Sequence, residues 1–287
     1  MEASLSTTKD SGQKAQSLLS KVVSYGFLCL GAVTMILPFL WMISTSLKDP
    51  GSVFTVPPRW IPHPIIWANY VEVLRVVPFL RFFLNSIFVA VVVTAGQVLT
   101  SAMAAYAFSR LQFPGRDKLF FAYLATMMIP GSVTMIPVYV LLRCLGWIDT
   151  YKALVIPAMF SAYGTFMLRQ FFMTLPKDLE DAAKIDGCSL FGIFWRIVLP
   201  LSKPALATLV TFTFMGSWGS FMWPLLVTNR MELKTLPVGL ETFSTVYSTD
   251  WTLLMAGSVM AMLPVVLIFL FNQRFFVEGI KLTGIKG

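Results

Sequence analysis

Fourteen carboxylates, one histidine and three cysteines are the side chains of this 287-residue chain that could carry acid–base, metal or nucleophilic chemistry. Their spacing favours none of these. His63 stands alone in a Pro-rich loop with no Cys-x-x-Cys pair in the chain, so no zinc or haem ligand set forms. Cys29, Cys144 and Cys188 fall at different levels of the topology drawn below, and no intrachain disulfide is expected. No G-x-x-x-x-G-K-[ST] phosphate loop occurs, and the apolar segments hold no Ser-His-Asp or paired-carboxylate set. The expectation is no catalytic residue, no metal site and no cofactor bound by this chain.

One stretch between apolar segments is the most informative in the chain. Residues 175–204 read LPKDLEDAAKIDGCSLFGIFWRIVLPLSKP. Pro176 suits a first helical turn, where its missing N–H is harmless. Asp178, Glu180 and Asp181 favour the positive end of that helix. Glu180 and Lys184 stand at i,i+4 in the favourable order. Gly187 is placed to end the helix and Ser189 to cap the next, which carries Phe191, Phe194, Trp195 and Ile197 until Pro200 stops it. Ala182 and Ala183 give this helix–turn–helix a low profile, suited to a partner's groove. Spacing alone equally allows a solvated loop lying on lipid headgroups.

The elements that must carry this elbow are apolar. Hydrophobic residues make up 56% of the chain and charged residues 13%, against about 25% charged in soluble domains. A bilayer-crossing helix needs about 20 mainly apolar residues, and six segments qualify: Val22–Ser44, Ser86–Phe108, Leu119–Leu142, Leu154–Phe172, Ala205–Val227 and Leu253–Phe271. The expected fold is therefore all-α and polytopic. The first segment is too long for a signal-peptide core and lacks a cleavage site, so it reads as a retained span. The net charge of +8 lies between the spans rather than in a groove-facing stripe, which speaks for the positive-inside rule and against nucleic acid. With the termini inside, the cytoplasmic segments hold the larger share of Lys and Arg.

All the acidic residues fall outside the six spans. A charge at the bilayer centre costs about 2.5–3.5 kcal/mol or more and is kept for work, so an ion-coupled carrier would be expected to show one. Energy is instead expected to enter through the cytoplasmic face. Pro38, Pro130 with Gly131, Pro137, Pro157 with Gly164, and Pro264 read either as kinks around an alternately opening cavity or as ordinary membrane-helix irregularity.

Asp181-Ala182-Ala183-Lys184-Ile185-Asp186-Gly187, followed by Ile197-Val198-Leu199-Pro200, resembles the EAA signature of ABC importer permeases. The likeness extends through Asn69-Tyr70, Asn85-Ser86, the run Ala104 to Arg116, Ile129-Pro130, Leu236 to Leu240, Thr249-Asp250-Trp251, and the tail Gln273 to Gly279 closing on Lys286-Gly287. In this order the chain is similar to the smaller, maltose-type permease of carbohydrate importers. The resemblance implies the type I ABC importer permease fold: a tail over 1–21, a transmembrane domain over 22–272 with a core and partner face from about 82, a coupling loop over 173–204, and a second tail over 273–287. It implies contact with an ATP-binding subunit through Glu180, Asp181, Ala182, Ala183, Asp186, Gly187, Ser189 and Pro200. The first of the signature's acids is Asp181 where relatives carry Glu, one methylene shorter.

The same resemblance implies the partners: a second homologous permease, two ATP-binding subunits that hold ATP and Mg, an extracytoplasmic solute-binding protein, and the plasma (inner) membrane of a bacterium, with both termini cytoplasmic. Where relatives carry Trp-Asn-(Asp/Glu), this chain has Trp218-Gly219-Ser220. The aromatics of that region, Phe214, Trp218, Phe221 and Trp223, together with Ser220, form a candidate substrate path; packing against lipid or a partner is the competing reading. The implied function is import of a sugar, oligosaccharide or sugar-polyol, with ATP hydrolysed elsewhere. A permease for glycerol phosphate or another polar solute is the alternative, and a secondary transporter stands further behind.

Overall fold

A computed structural model describes residues 3–244 and 248–284, with side chains described from 20 to 273. The expected closing residues Lys286-Gly287 lie outside the described residues, as do most side chains of both expected tails. Helices dominate, and among the described residues the only β feature is an isolated bridge between Ser244 and Thr249.

Three helices are long and apolar enough to cross a bilayer alone: residues Ser20–Ser46 of α1 (Ala3–Ser46), all of α3 (Phe79–Arg110), and Trp251–Gln273 of α14 (Trp251–Gly284). They match the first, second and sixth expected spans. The other three are broken. The third divides into α4 (Arg116–Ala125), continued by a 3₁₀ turn to Met128, and α5 (Gly131–Cys144), which meet at 99°. Pro130 supplies the reason: the residue before a proline is driven out of the α region, and Ile129 sits at φ −87°, ψ 117°. The fourth is α6 (Tyr151–Val155), a 3₁₀ turn over Ile156–Met159, and α7 (Ala162–Thr174), parted at Phe160 and Ser161. The fifth is α11 (Lys203–Trp218) and α12 (Met222–Val227), parted at Gly219 to Phe221.

The remaining helices lie at the two ends. α2 (Ala68–Val76) and α13 (Leu236–Leu240) pack with α3 and α14. α8 (Asp178–Ile185), α9 (Leu190–Ile193) and α10 (Leu199–Leu201) build the elbow between α7 and α11. Lipid offers no hydrophobic drive between helices, so close contact must come from van der Waals fit and small residues. α3 shows this. Ala90, Ala102 and Ala105 are buried along it, and it packs against both α7 and α11. At the α7 crossing, Gly164 lets Ser101 and Leu209 approach within the space of a methyl group. By contrast α1 presents Phe27, Leu28 and Met35 almost fully, a surface that water would not tolerate and lipid would.

Polar side chains tether the loops at the end opposite the elbow. Asn69 Nδ2 donates to the carbonyls of Ser46 and Lys48, satisfying orphan acceptors at the end of α1. Asn85 Nδ2 donates to the carbonyls of Glu232 and Lys234 and its Oδ1 accepts from Tyr151 OH, while Ser86 Oγ accepts from Leu236 N. Lys48 folds inward rather than into solvent: its side chain is 2% exposed and its ammonium lies 3.9 Å from the centroid of the Trp41 ring. Burial holds its pKa below the usual lysine range.

Candidate functional site

Two places concentrate polar groups, and each is built by an interruption of helix.

The elbow begins with α8. Its end is a Schellman turn: Cys188 N donates to Ala183 O, Gly187 N to Lys184 O, and Gly187 adopts φ +77°, which only glycine takes at no steric cost. Ser189 then caps α9, its Oγ accepting from Gly192 N at 3.2 Å. Both positions match expectation. Pro200 does not stop the second helix. A π turn over Phe194–Val198 precedes it, and α10 carries the chain through Leu201 before an 80° bend into α11. The wider turn spares the proline ring its clash with the carbonyl four residues back.

The acids of α8 divide by face. Asp178, Asp181 and Asp186 are exposed, as are Ala182, Gly187, Ser189 and Pro200, and Ile185 is 87% exposed. Asp181 pairs with Lys184 at 2.8 Å; that hydrogen bond, with Coulomb attraction, lowers the carboxyl pKa and raises the ammonium's. Both groups are open to water, so the pair adds little stability. Glu180 is the exception. It is 6% exposed, and the expected pairing with Lys184 does not form. Its Oε1 lies 3.0 Å from Nε of Arg110 instead. Of the residues expected to face a partner, Glu180 faces inward and Ala183 is half-buried.

The second place is a cavity of about 410 Å³ among α3, α7, α11 and the breaks at Phe160–Ser161 and Gly219–Phe221. Gln97, Ser161, Tyr163, Thr213, Ser217 and Ser220 supply its polar groups and Phe160, Phe212 and Trp223 its aromatic faces. Gln97 Nε2 donates to Thr213 Oγ1 at 3.0 Å across α3 and α11, and Trp223 Nε1 donates to Ala153 O. No Lys, Arg, His, Asp or Glu lines it among the described residues. The volume falls within the about 300–1,000 Å³ of ligand pockets. Irregular backbone at membrane depth is tolerated where it lines such a space.

Ser220 and Trp223, expected on the substrate path, are at this cavity. Phe214 and Trp218 are not. They stack at 5.9 Å on the far side of α11, where Trp218 Nε1 donates to Ala261 O of α14. Phe221 sits in the break without joining the lining. The sequence signal for Gln97 was a lone amide in an apolar span; Ser161 and Tyr163 carried none.

At the end opposite the elbow, Asp149 takes φ +61° and receives the backbone N–H groups of Asn229 and Arg230 and Nε of Arg230 at 2.7 Å. Desolvation pushes its pKa up, but these donors outweigh it and hold the carboxyl below its usual range.

Comparison with known proteins gives concordant results. The family described as "Binding-protein-dependent transport system inner membrane component" matches residues 17–281. The arabinooligosaccharides transport system permease protein AraQ of Halalkalibacterium halodurans is 34% identical over 96% of this chain and 99% of its own. The sn-glycerol-3-phosphate transport system permease protein UgpE of Yersinia pestis is 34% identical over 88% and 93%. A chain of a solved bacterial ABC transporter involved in the import of the acidic polysaccharide alginate superposes with a TM-score of 0.81 at 24% identity, covering 90% of this chain and 96% of that one.

Proposed function

Because this chain belongs to the family of binding-protein-dependent transport system inner membrane components, we propose that it is the permease subunit of an ATP-driven importer whose cargo is a neutral sugar, oligosaccharide or polyol. The observation that carries the cargo class is the cavity's lining, which offers amide, hydroxyl and aromatic groups and no charge. Hydroxyl-rich solutes suit such a surface: rings cover C–H faces, and neutral donors and acceptors take the hydroxyls. The arabinooligosaccharide relative supports the same class.

The aromatic rim of Phe160, Tyr163 and Phe212 is exposed, and a second, homologous permease would close that side. ATP and Mg would be held by two ATP-binding subunits docked on the outward face of α8, with the termini in the cytoplasm and a solute-binding protein delivering cargo at the opposite end. Partner closure would move the elbow, and the broken spans would open the cavity outward.

The glycerol phosphate relative raises an anionic cargo. A phosphate dianion would need a cation in the lining, so the neutral class is preferred. The test is uptake by the complex reconstituted in proteoliposomes with its ATP-binding subunits, partner permease and binding protein. Nucleotide-dependent uptake of neutral oligosaccharides or polyols, lost in Gln97→Glu, is the expected result. Preferential uptake of sn-glycerol 3-phosphate would overturn the cargo class, and uptake without nucleotide would overturn the importer.

A further inference from the structure

One buried ion pair is left unexplained by the docking face. Glu180 is the buried member of an α8 whose other acids are exposed, and it meets an arginine whose side chain is 3% exposed. Arg110 is the last residue of α3. Its Nη2 donates to the carbonyls of Phe172 and Leu175, at the C-terminal end of α7. One guanidinium therefore grips three helices: α3 by its own backbone, α7 by two carbonyls at its C-terminal end, and α8 by charge.

Both gripped helices reach the cavity at their other parts. α3 carries Gln97 about 20 Å along the helix from Arg110, at about 1.5 Å per residue. α7 starts at Ser161 and Tyr163, both in the lining.

Stability alone does not account for such a pair, since apolar replacements of similar volume are commonly as good or better. What a buried pair does that an apolar contact does not is resist sliding. The surrounding side chains of Ala105, Leu168, Phe172 and Ile193 could shear past one another at small cost. Separating the charges would leave each unpaired where water is scarce.

We infer that the Arg110–Glu180 pair is a positioning contact that forces α3 and α7 to follow α8, so that displacement of the elbow reaches the cavity. The inference rests on the permease reading above. Glu180 acts here through Arg110 and not by touching an ATP-binding subunit.

The test uses the assembled complex with Glu180→Gln, Arg110→Gln, the double variant, and Arg110→Lys. Two quantities are read: the yield of assembled complex by size-exclusion chromatography, and cargo moved per ATP hydrolysed. A merely structural pair predicts that the double variant, which orphans no charge, recovers both. A positioning link predicts that it recovers assembly but moves at least about tenfold less cargo per ATP, with Arg110→Lys intermediate. Wild-type cargo per ATP in the double variant, or in either assembled single variant, overturns the inference and leaves the permease reading intact. Absence of nucleotide-dependent uptake by the unsubstituted complex overturns both.

Discussion

Gly187 offers the sharpest test of the elbow, because its surroundings separate two effects that are usually mixed. A Cβ built at Gly187 meets no atom of this chain within 4 Å, yet the residue holds φ +77°. Substitution therefore costs backbone energy and no internal clash. For an L-residue in the left-handed region that cost is about 1–2 kcal/mol, with Asn partly exempt and β-branched residues worst placed. Against a folding stability of about 5–15 kcal/mol, Gly187→Ala should insert and assemble; its elbow should be displaced from the Schellman geometry by a factor of about 5–30. The assay is cargo-stimulated ATP turnover in the reconstituted complex, normalised to assembled protein. Turnover should fall in the order Gly187, Gly187→Asn, Gly187→Ala, Gly187→Val. Turnover of Gly187→Val within about twofold of the unsubstituted chain would refute the reasoning, being below the effect of about 1 kcal/mol. Asn as inactive as Val would refute the backbone argument specifically, and assign the loss to crowding against a seated partner.

Asp149 should make stability depend on pH only in acid. Its carboxyl pKa is depressed in the folded protein, so the stability it adds is fully present above its ordinary value of about 3.9 and is lost as pH falls through the lower folded value. Thermal unfolding in detergent should thus show no pH dependence from this group between about pH 5 and 8. Asp149→Asn should weaken the acid limb below about pH 4. Asp149→Ala should be less stable than Asp149→Asn at neutral pH, because only Asn tolerates φ +61° readily. Two glycines at the packing surface of α3, Gly239 of α13 and Gly96 of α3 itself, should differ in the same unfolding assay. At Gly239 a Cβ would sit 2.1 Å from the buried ring of Phe82, so Gly239→Ala should cost about 1–3 kcal/mol of overpacking. At Gly96 the obstacle is the unbranched side chain of Met159, from Cγ to Cε, which can adopt another rotamer, and Gly96→Ala should lower the unfolding temperature less.

The parts legible in the sequence were those set by local chemistry. Gly187 and Ser189 announced a helix end and a cap by type and spacing alone, and α1, α3 and α14 by uninterrupted apolar length. Three features were out of reach, each for a stated cause. A proline says that a helix is disturbed, but the 99° turn at Pro130 depends on what the two halves pack against. The i,i+4 spacing of Glu180 and Lys184 is a surface rule worth about 0.2–0.5 kcal/mol; it yields to Arg110, which chain distance hides. α11 is apolar on all sides, so its sequence carries no face, and Phe214 and Trp218 could not be assigned to α14 rather than to the cavity. Asn69, Asn85 and Ser86 entered the family resemblance as weak short matches. The structure gives them a shared cause, the satisfaction of loop backbone groups.

The two interruptions that sequence spacing could not place also explain how a charge-free bundle can recognise a polar solute. An intact apolar helix keeps every backbone group to itself and shows only its side chains. At Phe160–Ser161 and Gly219–Phe221 the ladder stops, and both breaks border the cavity. A break of this kind can present carbonyl and N–H groups, strong hydrogen-bonding partners that carry no net charge, and so avoids the about 2.5–3.5 kcal/mol or more that an ionised side chain would incur there. The buried ion pair lies instead at the elbow end. Arg110 is the last residue of α3 and Glu180 lies on α8, and neither lines the cavity, so the lining stays uncharged.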